Sequence, residues 1–375
     1  MKLIRNPELK GILGILLIVL ALGTLLAGLS GKLEQWGLPW FTGSKVFDKI
    51  FFVSDASGTR EIYSMNLDGS DRKQITHGAR VLSAPAIIPT ANRITFVGMC
   101  GSVSQVMAIG VDGGTPKALT SSTGSKRQPQ YSPDGKKLSY IETGRVYVAE
   151  INGSNPNPVM PTSEEMSMAM SNAENRSTIP LYTSYSWAPD SEGMAAISSP
   201  DRITDSLKYL PTANGKIMLV MPTAPTVRVI GTAWAAKKSI MAATVLYGHE
   251  DLVIVFYPDE KRVDAVLHVK DTELGTPSVS PDGSVIIAQI KAVPEKKYPA
   301  LLKIDVETKK STVLCRGMFI KPVFSPDGKK ILAAQYDNKS RKHNIVTIEL
   351  KSGKVTQLTH GDDCFDAVFS PQSEH

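Results

Sequence analysis

The sequence predicts an all-β fold: a seven-bladed β-propeller of four-stranded blades, with six blades as the alternative, preceded by one transmembrane helix. Three observations carry this expectation. A short motif, apolar-Ser-Pro-Asp-Gly-basic, returns along the chain at nearly constant spacing. A first-strand motif near residue 369 lacks its continuation, while three strands near residue 50 lack a first. And an apolar, uncharged run precedes all of it.

That run is "GILGILLIVLALGTLLAGLS", 11–30. Twenty helical residues rise about 30 Å, the thickness of a bilayer core, and only internal hydrogen bonding satisfies a backbone in lipid. Lys2, Arg5 and Lys10 precede it, which puts residues 1–10 in the cytoplasm and the remainder outside as a single-pass plasma-membrane protein. Trp36, Trp40 and Phe41 follow in a juxtamembrane linker, 31–45, where aromatic rings anchor at the interface. The alternative is a cleaved signal leaving a secreted or periplasmic protein. The run is longer than a usual signal core and no A-x-A site follows; "LLAGL" resembles a lipoprotein box, but Leu29 stands where the lipidated Cys belongs.

Repeats dominate the segment 46–375. Clear copies of the turn motif are "YSPDG" 131–135, "VSPDG" 279–283 and "FSPDG" 324–328; "WAPDS" 187–191 and "FSPQ" 369–372 are weaker, and "IIPTANRITFVG" 87–98 and "AWAAKKSIMAATV" 233–245 are decayed. The Pro, or the residue aligned with it, falls at 89, 133, 189, 236, 281, 326 and 371, at intervals of 44, 56, 47, 45, 45 and 45. Ser, Pro, Asp and Gly in that order are the type I turn preferences, with Pro presetting φ and Gly taking positive φ. The strands after the turn, such as "KKILAAQY" and "KIFFVSD", read as alternating.

A second hairpin completes each unit. "EIYSMNLDGSDRKQITHG" 61–78, "QVMAIGVDGGTPKALT" 105–120, "ALLKIDVETKKSTVLC" 300–315 and "NIVTIELKSGKVTQLTHG" 344–361 are strand, turn, strand, often closing on Ile/Leu-Thr. Four strands in about 45 residues is one propeller blade. The strand in "CFDAVFSPQSEH" fits the vacancy in the N-terminal blade, and such closure leaves no sheet edge in the ring.

These motifs, "FSPDGKKI", "IYSMNLDG" and the closing "LT", resemble the WD40-like repeats of TolB-like propellers from about residue 46 to the end. The resemblance implies fold more than activity. Well-known members are extracytoplasmic and dock other proteins, often envelope proteins; related propellers accompany serine peptidase domains, and one enzyme branch cleaves oligogalacturonate with a metal. The chain departs from the pattern in a long lead-in to blade four, 152–184, in a fifth unit without the turn motif, and in its expected anchor.

Composition narrows the function. Lys+Arg number 42 against Asp+Glu 36, a net charge of +6, without a basic stripe or interleaved aromatics, so no nucleic-acid partner is expected. Cys100, Cys315 and Cys364 lack metal spacing and suit buried apolar roles, although one bridge is compatible with the sequence. No G-x-S-x-G elbow supports a peptidase. "NLDGSDRK" 66–73 echoes a calcium loop but belongs to a hairpin. No metal or cofactor is expected.

The candidate binding residues are His77, His249, His343, His360, Asp363, Met166 and Met168, with Asp362 beside them. His77 and His360 follow the closing Ile/Leu-Thr; His249 and His343 are assigned to loops between the middle strands. Both loop classes open on one propeller face. The competing reading is that these His are solvated loop residues and the "THG" copies reflect repeat ancestry. The stretch 152–185, with Met160, Met166, Met168 and Met170, and the stretch 199–216 read as insertions on that same face. The expected function is a membrane-anchored, extracytoplasmic, non-catalytic scaffold for an envelope or membrane protein. The alternative is a metal-assisted, lyase-like enzyme acting on an anionic sugar.

Overall fold

The computed structural model of the chain describes residues 48–88, 92–171, 179–199, 204–211, 216–221, 227–248, 250–270, 273–291 and 298–371. The expected transmembrane segment lies outside them. No helix among the described residues is long and apolar enough to cross a membrane. Residues Gly43–His375 form one compact unit.

Seven antiparallel sheets of four strands make up this unit, so the propeller has seven blades. The six-blade alternative is set aside because the irregular fourth and fifth units are both complete. Blade four pairs Tyr182–Trp187, Gly193–Ser198, Ser206–Pro211 and Met218–Met221; blade five pairs Val227–Trp234, Met241–Tyr247, Glu250–Tyr257 and Arg262–Lys270. Blade one takes its innermost strand, Cys364–Phe369, from the C-terminal side and the other three from Lys49–Ser54, Glu61–Asn66 and Lys73–Gln74. The expected closure is therefore present, with Ile50 opposite Phe369 and Ser54 opposite Cys364.

The turn chemistry explains why the motif repeats. In blade three the Gly135 N–H donates to the Ser132 carbonyl at 2.8 Å, and Gly135 has φ +71°. The Ser132 hydroxyl donates to Asp134 at 2.6 Å and accepts from the Lys137 N–H at 2.9 Å. Ser280 with Asp282, and Ser325 with Asp327, repeat both contacts. Ser and Asp thus lock the hairpin from inside, as expected for side chains that mimic turn backbone. Asp68 does the same for "NLDGSDRK", accepting from the Ser70 N–H at 3.0 Å, so this stretch is a hairpin turn.

The core lies in the seams between blades. Phe51, Ile62, Ile94 and Phe96 join blades one and two; Phe52, Met65, Leu332 and Ile345 join seven and one. Middle strands are covered on both faces, so Phe51 and Phe52 are both 0% exposed. This corrects the expected alternation: a strand sandwiched between neighbouring blades needs apolar residues at every position, not every second one.

At the axis, Gln128, Lys321 and Asp366 share a position in their innermost strands and all have positive φ, near +50°. A bulge falls there in each strand. It lets Lys321 of blade seven pair with Asp366 of blade one.

Two stretches read as insertions are partly strands. Asn157–Met160 is the outer strand of blade three, and Ser206–Pro211 is the third strand of blade four. Between Met160 and Tyr182 the described residues include a helix, α1, Ser163–Ser171. The cysteines are free; Cys364 is buried and Cys315 half-buried, while Cys100 is exposed at the end of the strand Arg93–Cys100, against expectation.

Candidate functional site

Antiparallel pairing puts the first-to-second and third-to-fourth turns on one face of the ring. The remaining loops and the connectors between blades share the other, here called the connector face. The predicted site residues divide across it unevenly.

The closing Ile/Leu-Thr motif builds this face. The Thr76 hydroxyl accepts from the Ile62 N–H at 2.8 Å, Thr120 from Val106 at 3.0 Å and Thr359 from Ile345 at 2.8 Å. Thr76 donates in turn to buried Glu61 at 2.5 Å, and Thr120 to Gln105 at 2.6 Å. Each Thr is a latch between the outer strand and the one inside it. The following residues, His77 and His360, are carried out to the surface in equivalent places, and both are exposed. Gln357 bridges Thr359 and His360, donating to the Thr359 carbonyl at 2.8 Å and standing 2.9 Å from His360 Nδ1.

His343 differs from its expected place. It belongs to the strand Lys342–Glu349 and not to a loop, because the hairpin pairs as far as Tyr336–His343 and Asp337–Lys342. Its ring is half-buried beside Tyr336, and Nδ1 lies 2.8 Å from Asp363 Oδ1, which also accepts the His343 N–H at 2.7 Å. The Asp363 N–H donates to Asp55 at 2.9 Å. Asp362 binds Arg72 at 2.8 Å, whose guanidinium stacks over Tyr63 and donates to Ser54. These contacts clamp the closing strand of blade one to its neighbours.

The structure therefore brings His343 and Asp363 together, and gives Asp362 a clamp of its own. His249 lies outside the described residues. Among the described residues no group of three or more His, Cys, Asp or Glu side chains is placed to hold a metal ion.

The Met-bearing stretch, expected only as an insertion, holds a helix whose signal stands in the sequence. Thr162-x-x-Glu165 is a capping box: the Thr162 N–H donates to Glu165 Oε2 at 2.9 Å, and the Glu165 N–H to Thr162 Oγ1 at 3.3 Å. Glu165 then accepts from the Tyr182 hydroxyl at 2.7 Å and from Lys208 at 2.6 Å. Burial, with the Glu165 charge beside it, pushes the Tyr182 phenol far above its ordinary range, so it stays a donor. The helix is thus fixed to blade four.

Between α1 and blades three and four runs a groove of about 1230 Å³. Met166, Met170, Val159, Trp187, Met194 and Leu210 line it. Met168 and Met170 are 63% and 67% exposed on the helix surface. Unbranched thioethers adapt to varied apolar shapes, so this element offers a soft apolar patch on a rigid mount.

No family model matches the chain. It is 31% identical over 88 residues to dipeptidyl-peptidase 5 of Porphyromonas endodontalis, covering 24% of this chain and 13% of that one. It is 26% identical over 134 residues to the TolB homolog of Chlorobium luteolum, covering 24% of this chain and 31% of that one. The matches therefore span under a third of either curated relative. Among solved structures, an oligogalacturonate lyase in complex with manganese superposes with a TM-score of 0.60 at 12% identity, over 84% of this chain and 86% of that one. That is a likeness of fold.

Proposed function

We propose that this chain, a TolB-like seven-bladed propeller, is a membrane-anchored, extracytoplasmic scaffold that binds an envelope or membrane protein and performs no chemistry on it. Residues 11–30 are the proposed anchor. The observation that carries the reading is α1: pinned by Glu165 to Tyr182 and Lys208, it nevertheless turns Met168 and Met170 to solvent. Covering an exposed apolar side chain stabilises a complex by about 1.5–3 kcal/mol, and a preformed patch on a rigid ring spends little of that on ordering.

The test is recovery of partners with the tagged full-length chain from native membranes, comparing wild type with Met168→Asp combined with Met170→Asp. Recovery of the partner is expected to fall at least about tenfold, equivalent to about 1.4 kcal/mol, with unchanged thermal unfolding. Equal recovery would contradict the reading. Substitution is a cleaner probe than deleting 160–175, because Met160 is fully buried in the seam of blades three and four.

A second reading, metal-assisted cleavage of an anionic sugar, has in its favour the convergence of His343 and Asp363 on the connector face. Stoichiometric manganese binding lost in His343→Ala would support it; no binding would dismiss it.

A further inference from the structure

A second concavity, of about 580 Å³, opens on the connector face over blades three to five. Its size falls within the ordinary range for small-molecule sites. Arg127, Arg228, Asp205, Thr143, Thr183 and Ser199 are among its lining residues. None belongs to the Met groove or to the His343–Asp363 clamp.

The two arginines are placed by different means. Arg127, on the innermost strand of blade three, donates through NH2 to the Tyr182 carbonyl at 3.1 Å, which holds its guanidinium against blade four next to Thr183. Arg228, on the innermost strand of blade five, donates through Nε to Asp205 Oδ2 at 3.2 Å. The same oxygen accepts the Val229 N–H at 2.9 Å. The Asp205 side chain is 7% exposed and that of Arg228 is 55%. A buried carboxylate thus orients an exposed guanidinium by its inner nitrogen. Nε carries the hydrogen bond between Arg228 and Asp205.

The charge count of these three groups is two cations against one anion. A guanidinium held by Nε presents its remaining donors as a fork, the geometry that suits a carboxylate or phosphate. Thr143 and Thr183 also line the pocket, the Thr183 hydroxyl donating to the Ile197 carbonyl at 3.4 Å. We propose that this pocket binds a small oxyanion ligand, a carboxylate or a phosphate ester, between Arg127 and Arg228, with Asp205 as the positioning residue. This site is separate from the protein-docking surface and does not depend on it.

The test is titration calorimetry of the full-length chain in nanodiscs, in phosphate-free buffer, with glutarate, glycerol 3-phosphate and glycerol as probes. At least one anion is expected to bind at millimolar concentration or below, and glycerol not to bind. The tighter anion identifies the carboxylate or the phosphate source. Arg127→Gln and Arg228→Gln should each weaken binding at least about tenfold. Arg228→Lys, which keeps the charge and loses the fork, should fall between wild type and Gln. Thermal unfolding of each variant reports its fold. Absence of binding by both anions, or folded Gln variants that bind as wild type does, would overturn the proposal.

Discussion

The Lys49 backbone N–H donates to the Ser370 hydroxyl at 2.9 Å, joining residues 321 positions apart. This bond sits beside the seam where Cys364–Phe369 completes blade one. Ile50, Phe52 and Met65 are fully buried in the cluster that includes Cys364 and Ala367. Removing residues 364–375 should leave blade one with three strands and uncover that cluster. The loss, several buried side chains at about 1.5–3 kcal/mol each, is comparable to the whole stability of a domain, about 5–15 kcal/mol. The truncated chain is expected not to fold, read by circular dichroism and proteolysis; a cooperative melt like wild type would refute closure as the main restraint.

The Thr latches give a graded prediction. Thr76 satisfies a backbone N–H and the fully buried Glu61, whereas Thr359 serves the backbone N–H of Ile345. Thr76→Val should destabilise by roughly 2–3 kcal/mol, because a buried carboxylate keeps Thr59 and Ala79 but loses its shortest donor, and Thr359→Val by about 1 kcal/mol. Beside Thr359, Asn344 keeps a buried Oδ1 with no hydrogen-bond partner among the described residues, where Gln105 of blade two reaches its Thr. Asn344→Gln is therefore expected to stabilise by about 1 kcal/mol. Urea unfolding measures all three.

The Ser-Pro-Asp-Gly turns carry an acid limit. The Ser280 hydroxyl and the Ser284 N–H hold Asp282 down to about 2, from an ordinary 3.8. A depressed folded value means the contribution is fully present above the unfolded value and is lost as pH falls through the folded one. Stability should drop between pH 4 and about 2, and Asp282→Asn should be weaker at neutral pH but flatter across that interval. An unchanged slope would remove Asp282 as a contributor.

Glu165 joins cap, phenol and ammonium in one place. Its side chain and that of Lys208 are 13% and 15% exposed. Glu165→Ala should cost about 3 kcal/mol, as for a largely buried pair that loses one partner, and admit proteolysis within 163–171. Glu165→Gln keeps the cap and should cost less. Equal protection of Glu165→Ala and wild type would show that α1 is held by other contacts.

The ring was legible because its turns are local chemistry written in residues: Ser, Pro, Asp and Gly recur wherever the backbone needs them, and their spacing counts blades. Blade five was legible by spacing alone, since "AAKKS" keeps the length of the turn without its side chains. Burial obscured the rest. Ser206–Pro211 lacks a simple alternation because Leu207, Tyr209 and Leu210 are all buried between blades. The helix α1 escaped notice because it buries only Ala169 and so has no apolar stripe, although its capping box was present. The site was less legible still. His343 meets Asp363 through strand register, and Arg127 and Arg228 share a pocket though about a hundred residues separate them; nothing local announces either.

The central claim is that a protein docks on the ring through α1. The direct measurement is site-specific photo-crosslinking in native membranes, with the probe at Met168 on α1 and, as control, at Lys329 in the Ser-Pro-Asp-Gly turn of blade seven. The account predicts one discrete protein adduct from position 168 and none from position 329. Adducts only from 329, or none from 168 in a folded protein, would contradict it.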